Sequence, residues 1–282
     1  MKDSPGGHDA GPGIGDDPGD GTGHRTGHGT GQVLDPGGGT VAGPVLPGAD
    51  AALFLDMDGT LLEIAARPDA VVVPPDLPEL LTRLQAVLGG AVAVVTGRGL
   101  AIARGYAGVP SLPIGAEHGA VLDPTLPGAE PLPVPPPEWR RAADEFAAAR
   151  TGTLAEHKTH GFVLHFRLRP EAAPEALAML SDLLRDDPRG FHVVPAHAAA
   201  ELRPVRADKG GAVRRLMAIA PFHGRRPVFI GDDVTDEDGM AACAEYGGYG
   251  LRVPDDFAGR PALVRAWLAR LATSLEGDGQ ER

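Results

Sequence analysis

Five apolar residues at 51–55, AALFL, break off directly into Asp56-Met57-Asp58-Gly59-Thr60. The run has the length of a buried strand and is too short for a helix standing alone. Gly59 lets the chain turn sharply straight after it. Side chains two apart on an extended backbone point the same way, so Asp56 and Asp58 converge at the strand's carboxyl end. In open α/β sheets that end is where ligands bind. Two converging carboxylates repel, and a hard cation such as Mg²⁺ relieves the repulsion through oxygen ligation. A plain polar turn would also account for Asp and Gly here. It leaves unexplained why apolar chain resumes at once with Leu61 and Leu62.

The same pattern recurs downstream. Leu77, Leu80, Leu81, Leu84, Val87 and Leu88 fall at helical spacing, and Gly89-Gly90 close the helix. Residues 91–95 form a second buried strand ending in Thr96-Gly97-Arg98. Strand, helix and strand of these lengths make a right-handed βαβ unit, which brings Thr96 to the sheet edge that carries Asp56. Residues 114–122, IGAEHGAVL, read as a short hairpin carrying His118. Lys209 opens a helix, where the helix dipole prefers anions, so an anion is expected in front of it. Residues 227–230 form a third apolar strand, followed by four Asp and one Glu within the seven residues 232–238. So many acids at a strand end need a compensating cation. A last strand at 251–253 and a final helix at 261–271, with Leu263, Trp267, Leu268 and Leu271 on its apolar face, complete the reading.

The proline-dense stretch 124–137 is a stiff connector and marks a change of domain. Beyond it, helical (139–150, 175–184) and strand-like (151–157, 162–169, 191–195, 199–203) stretches follow in the order αββαββ. That order makes a small α/β cap inserted into a larger α/β domain. The expected boundaries are a tail at 1–48, a core at 49–124 and 206–282, and the cap at 125–205. The tail is Gly, Pro, Asp, His and Thr with almost no large apolar side chains, and is expected to be disordered.

The chain of 282 residues carries 26 basic and 38 acidic side chains, a net charge of −12. That balance argues against a nucleic-acid surface. An anionic ligand must be held by a few local cations and a metal. One cysteine, Cys243, excludes an intrachain disulfide and suits a reducing compartment. No apolar run approaches the ~18 residues of a membrane span, and the N-terminus has no apolar signal core. A cytoplasmic protein with no membrane partner, and a monomer, is expected.

D-x-D-G-T at 56–60, Thr96 at a strand end, Lys209 at a helix start and G-D-D-x-x-D at 231–236 occur in one order. Together they resemble the four motifs of the haloacid dehalogenase superfamily. The resemblance implies an α/β fold, a Rossmann-like core with a parallel sheet plus the inserted cap. It implies that Asp56 is a nucleophile toward phosphorus and Asp58 the general acid and base. Thr96 would bind the transferring phosphoryl and Lys209 would neutralise charge around it. Mg²⁺ would be held by Asp56, Asp58 (through its backbone carbonyl) and Asp232, with Asp233 and Asp236 in support. The Gly-x-x-His-Gly-Ala segment at 115–120 resembles a substrate-facing loop of the superfamily's sugar phosphatases. His118, with Arg98, is accordingly a candidate substrate contact.

A finer resemblance is to the trehalose-6-phosphate phosphatase family. It rests on E-H-K at 156–158, H-F-R at 165–167, E-L-R-P at 201–204, D-K-G at 208–210 and G-D-D-V-T-D-E-D at 231–238. It implies that Glu156, Lys158, Arg167 and Glu201 reach from the cap to sugar hydroxyls, where charged groups make strong hydrogen bonds. The chain departs from the pattern at 195–200, PAHAAA, which weakens Glu201, and at Met57, which points away from the site. The implied activity is Mg²⁺-dependent hydrolysis of trehalose 6-phosphate through an aspartyl phosphate, in trehalose biosynthesis. Another sugar phosphate as substrate, or a non-catalytic sensor, are the alternatives. Asp56, Asp58, Asp232 and Lys209 are all present, which favours an enzyme.

Overall fold

The computed structural model describes residues 30–280, apart from 36, 66–69, 125, 127–130, 186, 188, 189 and 197. The chain begins with β1 (Thr30–Leu34), β2 (Thr40–Pro44), β3 (Ala51–Leu55), α1 (Leu77–Val87), β4 (Val92–Val95), α2 (Leu100–Ala107), β5 (Ile114–Ala116) and β6 (Val121–Leu122). The middle contributes α3 (Pro137–Ala148), β7 (Leu154–His157), β8 (Phe162–His165), α4 (Ala173–Leu184), β9 (Phe191–Ala196) and β10 (Ala199–Pro204). It ends with α5 (Lys209–Met217), β11 (Arg226–Gly231), α6 (Glu237–Glu245), β12 (Tyr249–Arg252), α7 (Val253–Asp256) and α8 (Pro261–Gln280).

The large sheet has the order β12-β11-β3-β4-β5-β6, parallel throughout except for β6. β3 is central, and both its faces are covered. Leu53 and Leu55 join the core made with α1 and α8, where Trp267 and Leu268 are fully buried. Ala52 and Phe54 face the core made with α5 and α6, where Phe54 stacks on Phe222 at 5.4 Å. This is why the run carries no polar residue. The connection from β3 leads to β4 on one side, while β11 lies on the other side and leads away to β12. The strand order therefore reverses between β3 and β11, and a crevice opens beyond their carboxyl ends.

The cap is a four-stranded antiparallel sheet, order β7-β8-β10-β9. α3 and α4 cover one face with Trp139, Phe146 and Leu180 against Phe162, Leu164 and Leu202. The register places Glu156, Val163, Glu201 and Val194 side by side across the strands, on the face opposite Phe162 and Leu202.

Residues 1–29, most of the stretch read as a disordered tail, lie outside the described residues. The rest of that stretch departs from the reading. β1 and β2 form a hairpin that docks on α8. Val33 is 1% exposed, and buried Trp267 donates its Nε1–H to the Pro44 carbonyl at 2.9 Å. Docking, not the hairpin's own composition, orders it. Val33→Ala is expected to cost about 2 kcal/mol, roughly 5 °C in melting temperature for a chain of this size. An unchanged melt would show that the hairpin adds nothing to the fold. The other differences are small: α8 runs to Gln280 instead of ending at 271, and α2 and α6 are helices that no large-residue periodicity announces. Among the described residues no helix is long and apolar enough to cross a membrane.

Candidate active site

The turn after β3 folds back on itself. Leu61 and Leu62 both donate their backbone N–H to the Met57 carbonyl, at 2.9 and 2.8 Å, and both side chains are fully buried. Apolar chain resumes there because the turn dives back into the core. Gly59 sits at φ 75°, and a Cβ there would lie 2.0 Å from Asp232 Oδ2. Only glycine lets the loops after β3 and β11 approach this closely.

That approach gathers the charged groups. Asp56 is 4% exposed, Lys209 3% and Asp236 0%. Lys209 Nζ donates to Asp56 Oδ1 at 2.6 Å and to Asp236 Oδ1 at 2.5 Å. Asp236 Oδ2 accepts from the backbone N–H of Asp232 and Asp233, which anchors the acidic loop on itself. Burial pushes the Asp56 carboxyl up to about 8, opposed by Lys209 and reinforced by Asp236. Burial works against the Lys209 ammonium, yet Asp56 and Asp236 outweigh it and its pKa ends above the ordinary lysine value. Burial also raises Asp232, helped by Asp236 and Asp233.

Carboxylate oxygens of Asp56, Asp232 and Asp236 lie within 4.8 Å of one another. Three acids share one ammonium, and burial raises the pKa of each, so holding all three ionised needs more positive charge than Lys209 brings. An oxygen-only donor set in need of positive charge fits a hard divalent cation. Of the five acids expected around a metal, these three converge. The metal role expected of Asp58 is through its backbone carbonyl, and its carboxylate is held by Arg98, from Nε at 2.6 Å and Nη2 at 2.7 Å. Asp233 is exposed and caps the following turn, accepting from Thr235 N–H and Oγ1–H at 2.8 and 2.7 Å.

Thr96 is buried at the end of β4, and its Oγ1 accepts from the Arg98 N–H at 3.2 Å. Asp56, Asp58, Thr96, Arg98, His118, Lys209, Asp232 and Asp233 line one cleft of about 400 Å³. Burial, then Lys209 and Lys158, lower His118 to about 4, so it enters the cleft as a neutral ring. Its folded pKa lies below the unfolded value. His118 therefore contributes stability in full above about pH 6.5, and this is lost as pH falls toward 4, up to about 3 kcal/mol. His118→Gln should lose less melting temperature than wild type between pH 6.5 and 4.5. Parallel losses would contradict the neutral ring.

None of the four cap residues is part of the cleft's lining. Lys158 Nζ bonds Glu201 Oε1 at 2.9 Å, and Glu156 bonds His165 at 2.7 Å. Arg167 lies exposed in the turn after β8. Two cap groups were not anticipated. Arg203 lies 3.8 Å from Glu201, and His192 is its partner across the strands. Lys158, Glu201 and Arg203 are near enough to His118 to shift its titration. Period-two spacing from Glu201 was the available signal for Arg203.

A parallel sheet that reverses at β3, with acids at the reversal and an inserted α/β cap, is the build of the haloacid dehalogenase-type phosphatases. A family model described as trehalose-phosphatase matches residues 54–253, and the chain belongs to this family of phosphatases. It is 39% identical over 206 residues to a probable trehalose-phosphate phosphatase of Sinorhizobium fredii, covering 72% of this chain and 77% of the relative. It is 30% identical over 238 residues to a trehalose-6-phosphate phosphatase of Escherichia coli, covering 81% and 89%. The structure of Aspergillus fumigatus trehalose-6-phosphate phosphatase superposes with a TM-score of 0.59 at 26% identity, covering 80% of this chain and 93% of that one.

Proposed function

We propose that the protein is a cytoplasmic, Mg²⁺-dependent enzyme of trehalose biosynthesis that hydrolyses trehalose 6-phosphate to trehalose and phosphate. One observation carries the reading: a buried carboxylate, Asp56, bonded to Lys209 at 2.6 Å, faces a cleft shared with a second acid, Asp58. The names of the relatives support the choice of sugar.

Asp56 attacks phosphorus, the phosphorus–sugar oxygen bond breaks, and Asp58 gives its proton to the departing oxygen. Asp58 then takes a proton from water as the water's oxygen attacks the aspartyl phosphate and releases Asp56. Thr96 and Lys209 hold the phosphoryl oxygens, and Lys209 keeps Asp56 oriented throughout. Arg98 leaves Asp58 for the incoming phosphate, and Asp58, no longer paired, takes up from solvent the proton that it then gives to the sugar oxygen. Asp56, Asp232 and Asp236, with the backbone carbonyl of Asp58, would hold Mg²⁺, which would supply positive charge to offset that of the phosphoryl group. Lys158, Glu201, Glu156 and Arg167 select the sugar from the cap. Phosphate release from a panel of sugar phosphates tests the reading. Trehalose 6-phosphate should be preferred, chelator should abolish release and Mg²⁺ should restore it. Preference for another sugar, or full activity in chelator, would overturn the corresponding part.

A further inference from the structure

Glu117, His118 and Gly119 carry successive φ values of 50°, 56° and 90°. Two neighbouring non-glycine residues in the left-handed region are disfavoured and persist only where surroundings impose them. Here they do. Glu117 N–H donates to the Arg98 carbonyl at 2.9 Å and His118 N–H to the Thr96 carbonyl at 2.9 Å. Arg215 Nη1 donates to the Gly119 carbonyl at 2.9 Å. A Cβ at Gly119 would lie 2.5 Å from the Asp208 carbonyl oxygen, so the corner is packed as well as bonded.

The corner sends its two side chains to different places. The His118 ring covers Gly97 in the cleft, where a Cβ would lie 2.6 Å from Cε1. The Glu117 carboxylate instead reaches the cap. It accepts from the Thr159 backbone N–H at 3.1 Å and from Thr159 Oγ1 at 2.9 Å. Thr159 follows Lys158 in the turn between β7 and β8. The cap grips the same turn from its own side, through Arg140 Nη2 to the Lys158 and Thr159 carbonyls at 2.8 and 2.9 Å. One core residue thus ties the backbone of the Thr96–Arg98 turn to the cap segment that carries Lys158.

We propose that Glu117 is a positioning residue that latches the β7–β8 turn of the cap onto the phosphate-side loop, setting Lys158 and Glu201 at the height at which a sugar phosphate is recognised. The proposal rests on the sugar-phosphatase reading for its substrate, but not for the latch itself. A carboxylate suits the task because its two oxygens accept an N–H and an O–H together, and its charge strengthens both bonds. The latch touches no reacting atom. Its loss should affect substrates that need the cap and spare those that do not.

The test compares full-length wild type, Glu117→Ala, Glu117→Gln and Thr159→Val on trehalose 6-phosphate and on p-nitrophenyl phosphate. Amide exchange at Thr159 is followed in parallel. Glu117→Ala should lower kcat/KM for trehalose 6-phosphate about tenfold, chiefly through KM, and speed Thr159 exchange about tenfold. The aryl phosphate should change less than about twofold, since it presents no sugar to the cap. Glu117→Gln keeps an acceptor oxygen and should fall between wild type and Glu117→Ala. Thr159→Val should follow in the same direction with a smaller loss. Equal losses on both substrates, no loss on the sugar, or unchanged Thr159 exchange would each overturn the latch. Wild type that hydrolyses only the aryl phosphate would sink the substrate reading, and the exchange rate alone would then decide the latch.

Discussion

Asp56→Asn is expected to lose at least about 10⁵-fold in turnover toward every phosphate ester, the scale on which losing a nucleophile is felt. An amide cannot form the acyl phosphate, so the loss should not depend on the leaving group. Lys209 keeps its 2.5 Å bond to Asp236, so the ammonium is not stranded. Asp56 is 4% exposed, and burial and repulsion from Asp236 raise its pKa, so holding it ionised costs stability that an amide does not. In chelator the variant should therefore melt no lower than wild type, and higher if the repulsion dominates. Stability given up for a reactive, buried charge is a known trade at active sites. Single-turnover assays with both a sugar phosphate and an aryl phosphate, beside thermal melts, check both halves. Residual turnover above about one per cent would remove Asp56 from the nucleophile's role.

Most of what places the site was legible in the chain because it is local. β3 and β4 announce themselves by carrying no polar residue between two buried faces, β11 by carrying none after Arg226, and α1 by its leucine stripe. What escaped is held by groups remote in sequence. The hairpin of β1 and β2 is two five-residue strands, TGQVL and TVAGP, with few large apolar residues, and gains its order from Trp267, more than 200 residues away. α2 and α6 pack through Ala103, Ala107, Gly239, Ala242 and Cys243, so no stripe of large residues marks them. Gly239 lies so close beneath the Phe229 ring that a Cβ would sit 2.4 Å from it.

The candidate site divides the same way. Acids at strand ends could be read from spacing, but not which acid answers which cation. The fork of Arg98 on Asp58 spans 40 residues, and Lys209 bridges Asp56 and Asp236 across 153 and 27. Asp233 and Asp236 looked equivalent in sequence. The turn separates them, using one as a cap and turning the other toward Lys209. Glu117 gave no signal, because its reach to Thr159 depends on a left-handed backbone that no residue type announces.

Asp58→Asn should separate the proton from the phosphoryl. The substitution keeps size and removes the acid. A sugar oxygen leaves poorly without a proton, whereas p-nitrophenolate leaves without one. General acid help is worth about 10²–10⁴-fold. The first step with trehalose 6-phosphate should fall by that much, and with p-nitrophenyl phosphate by far less. The structure adds a complication. Arg98 holds both oxygens of Asp58, at 2.6 and 2.7 Å, and its guanidinium lies 4.9 Å from the centre of the Tyr106 ring. Asn presents one acceptor and no charge, so Arg98 is released in the variant and phosphate binding shifts. That shift acts on the phosphate group, which the two substrates share, and cancels in the ratio of their losses. Asp58 also serves as base in the second step, so steady-state rates mix the two roles. Burst kinetics isolates the first. If the single-turnover losses of Asp58→Asn on the two substrates are equal, Asp58 is not the general acid, and the proton must reach the sugar oxygen from another group in the cleft.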